Sequence, residues 1–228
     1  MVSAILTFLI FAVSYYGEVV GNFTFTLDRV AQDAGITMYE SLRDKDYTAR
    51  LISDKVENAE GMTGYCGTEY YNGEFGEDVC LPSDLEVSSV DGNNNGESYI
   101  VYTFYVENLG DVMVDLEAEM NIISTSRDAE EALRVRIIID GVGTTYAKRQ
   151  SERGDSPGEL EPLTEAFYSA NLVMQEELTE FMPGDIMKVT VMIWYEGVDA
   201  DHTINLVGGG VKLDMNFTIS HIYGQDDF

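Results

Sequence analysis

Apolar and polar side chains alternate along two stretches that lie far apart in the chain. From Val112 to Ile122 every even position is apolar: Val112, Val114, Leu116, Ala118, Met120 and Ile122. Asp115, Glu117, Glu119 and Asn121 take odd positions between them. Val211, Leu213, Met215, Phe217 and Ile219 likewise alternate with Lys212, Asp214, Asn216 and Thr218. Period two is the pattern of a strand with one dry face and one wet face. It predicts two long strands in one sandwich, with even positions inward on the first and odd positions inward on the second.

Shorter signals fill in the rest. Phe23, Phe25 and Leu27 alternate with Thr24 and Thr26, and Ile36–Glu40 and Ala49–Ser53 are further short strands. Ser98–Glu107 is apolar at both parities, which marks a central strand covered on both sides or one lining a subunit contact. Asn108-Leu109-Gly110-Asp111 then predicts a turn, pairing that strand with 112–122 as a hairpin. Arg134–Ile139 turns back at Asp140-Gly141 through Thr144 to Tyr146. Glu165–Val173 is a strand candidate, and Pro183-Gly184-Asp185 precedes the strand Ile186–Tyr195. Many short strands between Gly, Asn and Asp turns predict an all-β fold: an antiparallel β-sandwich of jelly-roll type over residues 18–228, behind a separate apolar segment at 1–17.

Charge narrows the partners. The 228 residues carry 41 acidic against 13 basic side chains, a formal charge of −28. Such a surface repels phosphate backbones and anionic headgroups, which argues against nucleic acid as a partner. It would attract divalent cations and cationic partners; a solvated surface that keeps an abundant secreted protein soluble is the plain reading, with halophilic adaptation or cation-dependent assembly as the alternatives. The two cysteines, Cys66 and Cys80, flank one Gly- and acid-rich loop. An isolated pair of this kind predicts a disulfide and an oxidising compartment, against the alternative of two buried free thiols.

The N-terminal run is uncharged up to Glu18 and apolar at Ile5, Leu6, Phe8, Leu9, Ile10 and Phe11. It is short for a membrane span, which takes about 20 residues, and it lacks the positive start of a signal peptide. Three readings stay open: a signal or anchor remnant, a short span giving membrane contact through 1–16, or an apolar strand that docks into a neighbouring subunit. Water is a costly environment for such side chains, at about 1.5–3 kcal/mol for each large one, so the run needs a partner.

Motifs for chemistry are sparse. Asp91-Gly92-Asn93-Asn94-Asn95-Gly96 matches the first half of a calcium loop, but its twelfth position is Tyr102 and strand pattern follows, so a polar hairpin loop is the better reading. Glu196, Asp199 and Asp201, beside His202, form the candidate calcium site; an acidic turn is the alternative. No H-E-x-x-H, G-x-S-x-G or phosphate loop occurs in the sequence, and no catalytic residues are assigned. Asn22-Phe23-Thr24 and Asn216-Phe217-Thr218 are formal glycosylation sequons lying inside strand patterns. Trp194, the only tryptophan, is expected to pack in a core.

The layout resembles the TasA/camelysin group of secreted bacterial β-sandwich proteins. The resemblance is carried by the apolar start leading into Gly21-Asn22-Phe23-Thr24-Phe25-Thr26-Leu27, by Glu107-Asn108-Leu109-Gly110 before a long alternating strand, by Pro183-Gly184-Asp185, and by Gly210–Thr218. It implies export, a jelly-roll fold and assembly into matrix fibres, in which an N-terminal strand of one subunit completes the sandwich of the next. The group also includes peptidases, but this sequence has no metal motif to carry that activity. The expectation is therefore a non-enzymatic subunit of an extracellular or cell-surface filament that assembles with copies of itself. The alternatives are a membrane-anchored binding module, holding calcium at 196–202 or 91–97, and a pilin-like subunit.

Overall fold

The two alternating segments become neighbours. The structure, a computed structural model, describes residues 23–73, 76, 78–150 and 158–224. Its strands are β1 (Thr24–Leu27), β2 (Ile36–Tyr39), β3 (Arg50–Ile52), β4 (Gly92–Asn93), β5 (Tyr99–Asn108), β6 (Val114–Ser126), β7 (Leu133–Ile139), β8 (Val142–Ala147), β9 (Glu165–Ala166), β10 (Leu172–Phe181), β11 (Ile186–Tyr195) and β12 (Gly210–Ile222). Single helical turns, α1 (Arg29–Asp33) and α2 (Asp84–Val87), interrupt them. β6 and β12 run antiparallel, with Met120 opposite Met215 and Ala118 opposite Phe217. Leu116, Ala118, Met120, Met215 and Phe217 are fully buried, whereas Glu117 and Glu119 are not. The inward parity read from each segment is therefore the observed one.

Two sheets face each other across this layer. One runs β10-β6-β12-β1-β3; the other runs β2-β5-β11-β7-β8-β9, with β4 also beside β5. The fold is an all-β sandwich. Most pairings are antiparallel, but β1 lies parallel to β12 and β9 parallel to β8, so both sheets are mixed rather than purely antiparallel. Aromatic rings knit the layers: Phe25 stacks on Tyr102 at 4.8 Å between centroids, and Phe104 meets Phe217 edge-on at 6.1 Å.

The predicted hairpin between 98–107 and 112–122 does not form. β5 lies in one sheet and β6 in the other, so residues 109–113 cross between layers. β5 has both its edges taken, by β11 on one side and by β2 and β4 on the other. Asn108 builds the corner. Its Nδ2 donates to the carbonyls of Val112 at 3.0 Å and Phe181 at 2.9 Å, and its Oδ1 accepts from the Gly110 amide at 2.9 Å. The turn residues were read correctly; which sheet the next strand joins depends on partners distant in sequence.

The expected strand at 165–173 also shifts. Only Glu165–Ala166 pairs there, and the long strand is β10, most of which lies beyond it. β10 is an edge strand rich in Gln and Glu with two register irregularities, one between Leu178 and Phe181. Those irregularities break the period-two signal that would have revealed it. The Asp140-Gly141 turn does form, with both residues at positive φ (48° and 86°), as a tight hairpin between β7 and β8 requires.

The larger sheet is dry on its outer face as well. Val87, Val101, Ile138, Met192 and Trp194 form a second apolar cluster, with Met62 and Leu81 packed against it. The segment from Gly61 to α2 covers that face. This is why β5 and β11 are apolar at both parities.

Candidate functional site

Strand alternation places Arg134 and Arg136 on the outer face of β7, with Leu133, Val135 and Ile137 turned into the main core. Register sets Trp194 of β11 directly opposite Arg134, and Met192 opposite Arg136. Three loops close over this patch: 61–83 with the disulfide, 158–164, and 196–202.

The Cys66–Cys80 disulfide predicted from sequence is present. It joins the two arms of the covering segment, which also run side by side: the Thr63 amide donates to the Val79 carbonyl at 2.8 Å, and the Leu81 amide to the Thr63 carbonyl at 3.1 Å. Gly64 passes flat over the indole; a β-carbon there would sit 3.2 Å from Cζ2 of Trp194. Its amide donates to Oε2 of Glu196 at 3.0 Å, and Trp194 Nε1 donates to the same oxygen at 3.1 Å.

Arg134 is almost fully buried, at 1% exposure. Its Nη2 donates to Oδ2 of Asp199 at 2.6 Å and lies 3.1 Å from Oε2 of Glu161; Nη1 donates to the Leu133 carbonyl at 3.2 Å. Burial disfavours the guanidinium charge, but Asp199, Tyr65 and Glu161 outweigh it and hold the group above its usual range. Glu161 is pushed up by burial, with Arg134 only partly offsetting the shift. The Tyr65 hydroxyl is likewise raised by burial, opposed by the Arg134 charge.

The sequence-derived calcium candidates do not converge as a ligand set. Glu196 is occupied by the Gly64, Trp194 and Val198 N–H groups. Asp199 is held by Arg134 and by the Asp201 amide, at 2.7 Å to Oδ1. His202 Nδ1 lies 2.9 Å from the Glu196 backbone carbonyl. Among the described residues, no group of three or more His, Cys, Asp or Glu side chains is placed to hold a metal ion. The half-motif at 91–96 is a strand turn as read. Asn93 and Asn95 bind the backbone of Asp54, and Asn95 Oδ1 accepts from Val101.

Sequence reasoning singled out Glu196, Asp199 and Asp201 and missed Arg134, the cation that holds Asp199 together with Glu161. A signal existed: Leu133-Arg134-Val135-Arg136-Ile137 puts two arginines on one face of a strand whose other face is apolar. Between these groups lies a cavity of about 400 Å³, lined among others by Tyr65, Leu81, Arg134, Met192, Trp194 and Glu196. Its rim carries the Arg136–Asp84 ion pair, made by two N–H donors at 2.7 and 2.6 Å.

The candidate assembly residues Ile5, Leu6, Phe8, Leu9, Ile10 and Phe11 lie outside the described residues. No helix among the described residues is long and apolar enough to cross a membrane. Comparison with models of known protein families and with curated proteins finds no match to this chain.

Proposed function

We propose that this protein is a structural subunit of an extracellular or cell-surface filament, assembling with copies of itself through the apolar segment at 1–17. The disulfide is compatible with an extracellular location, since such bonds persist in oxidising compartments. The resemblance of the sequence layout to the TasA/camelysin group points to the same reading.

The observation that carries the proposal is the free side of β10. This strand ends its sheet and is hydrogen-bonded to β6 on one side. On the other, Tyr168 and Ser169 amides reach only the Val173 and Leu172 carbonyls. From Met174 onward the described residues offer no ladder partner. An open edge of that length is a template for an added strand. Glu176, Glu177 and Glu180 repel a second acidic strand there, but they do not repel residues 4–13, which contain no charge. An added apolar strand would satisfy backbone groups on both sides and take the run out of water.

Deleting residues 1–16 tests the proposal. The expected product is a folded, soluble monomer that forms no filaments by negative-stain microscopy, while the full chain does. Filaments from the truncated protein would refute the donor role. Flotation of the full chain with lipid vesicles, without filaments, would instead assign the segment to an anchor.

A further inference from the structure

We propose that the cavity beneath the disulfide-closed segment is a binding site for the acyl-amide group of an N-acetylated amino sugar. Two buried hydrogen-bonding atoms at this cavity have no partner: Nε of Arg134 and the hydroxyl of Tyr65. Both side chains are more than nine-tenths buried. The Arg134 guanidinium acts on the Tyr65 hydroxyl both by its charge and by close polar contact, yet no hydrogen bond of good geometry joins the two. Buried donors without acceptors are costly, and an oxygen placed at both would recover that cost.

Charge selects the kind of oxygen. Arg134 is paired with Asp199 and Glu161, and Glu196 lines the same cavity, so an incoming carboxylate or phosphate meets net negative charge. A cation meets the Arg134 and Arg136 guanidiniums that line the cavity, Asp84 is already paired with Arg136, and Glu161 Oε1, which has no partner, lies outside the lining. A neutral carbonyl meets neither obstacle. An amide goes further: an ionised carboxylate has about four lone-pair sites, so Glu196 retains capacity for one more N–H. Trp194, Met192 and Leu81 supply an apolar wall for an acetyl methyl group. Ser83, Thr145 and the Arg136–Asp84 pair line the cavity where sugar hydroxyls would lie. Leu163, at φ +55° and largely exposed, also borders it. The volume falls within the range of small-molecule sites, about 300–1,000 Å³.

Trp194 provides the readout, because it is the only tryptophan and it borders the cavity. The native, disulfide-intact protein is titrated with N-acetylglucosamine, with glucose, with acetate and with N-acetylglycinamide. Saturable change in indole emission with N-acetylglucosamine is expected, at least about tenfold tighter than with the other three. Tyr65→Phe keeps the ring and removes only an unpartnered hydroxyl, so it should fold normally and weaken binding about tenfold. Absence of saturation would show that the cavity holds water alone and overturn the proposal. Equal response to glucose would remove the role of the amide, and equal response to N-acetylglycinamide would reassign the site to peptide. Unchanged affinity in a folded Tyr65→Phe protein would refute the assigned contact. Filament formation is not part of any arm, so the outcome is independent of the assembly proposal.

Discussion

Arg134 shows how one residue sets both a cost and a constraint. Its charge is buried against Asp199 and Glu161, and removing it strands two carboxylates away from water. Arg134→Ala should therefore destabilise the fold by about 3–5 kcal/mol in urea unfolding. A triple change to Arg134→Met, Asp199→Asn and Glu161→Gln should recover much of that loss. Glu161 adds a pH dependence of defined sign. A free glutamate titrates near 4.5, and burial raises this one in the native state. Between about 4.5 and the raised native value, the native protein therefore holds a proton that the unfolded chain has released. The stability this contributes is complete below about 4.5 and is lost as pH rises through the raised native value. Glu161→Gln should flatten the corresponding fall in urea midpoint between acid and neutral pH, relative to the unaltered protein. Asn108 is a second single-residue control point. Asn108→Ala deletes three hydrogen bonds at the crossing between sheets, two of them to carbonyls. A loss of about 1–3 kcal/mol is expected.

Among the elements, the covering segment 61–83 is the one that chemistry can release. The disulfide fixes its internal shape, and its attachment rests on a few backbone bonds and the second apolar cluster, whereas the sandwich core lies on the other face of the sheet. The bond closes a loop of sequence separation 14, for which the chain-entropy model gives about 3 kcal/mol. Replacing Cys66 and Cys80 by serine should lower stability by up to that amount. It should also shift Trp194 emission to the red as water reaches the indole, while far-ultraviolet dichroism of the strands persists. Emission unchanged in the double variant would mean that packing alone holds the segment.

At the scale of the molecule, the formal charge of −28 opposes association of like subunits. Among the described residues no group of three or more His, Cys, Asp or Glu side chains is placed to hold a metal ion, and calcium is expected to act on assembly by screening and by bridging between surfaces. Millimolar-scale calcium should speed filament growth relative to chelator at matched ionic strength, and Asp199→Asn should not abolish the effect. Identical growth in both conditions would remove divalent cations from the mechanism.

The sequence by itself determined what depends on local alternation and local loop chemistry. The inward faces of β6 and β12, the Asp140-Gly141 hairpin, the two-sided burial of β5 and the Cys66–Cys80 bond follow from period, turn residues and spacing. Each is fixed within a few residues, or by an isolated pair. Tertiary structure alone decided the rest. Asn108–Gly110 encodes a turn, but not that β5 pairs with β11 while β6 pairs with β12. That choice rests on strands roughly eighty to a hundred residues away. β10 was hidden because an edge strand with bulges and one exposed side need not keep a clean apolar rhythm. The site under the disulfide was hidden for a related reason. Acidic residues near 196–202 look alike as sequence whether they await a metal or already hold Gly64, Trp194 and Arg134. Only the register that sets Arg134 beside Trp194 distinguishes the two, because hydrogen-bond partners are assigned by three-dimensional proximity and not by spacing along the chain.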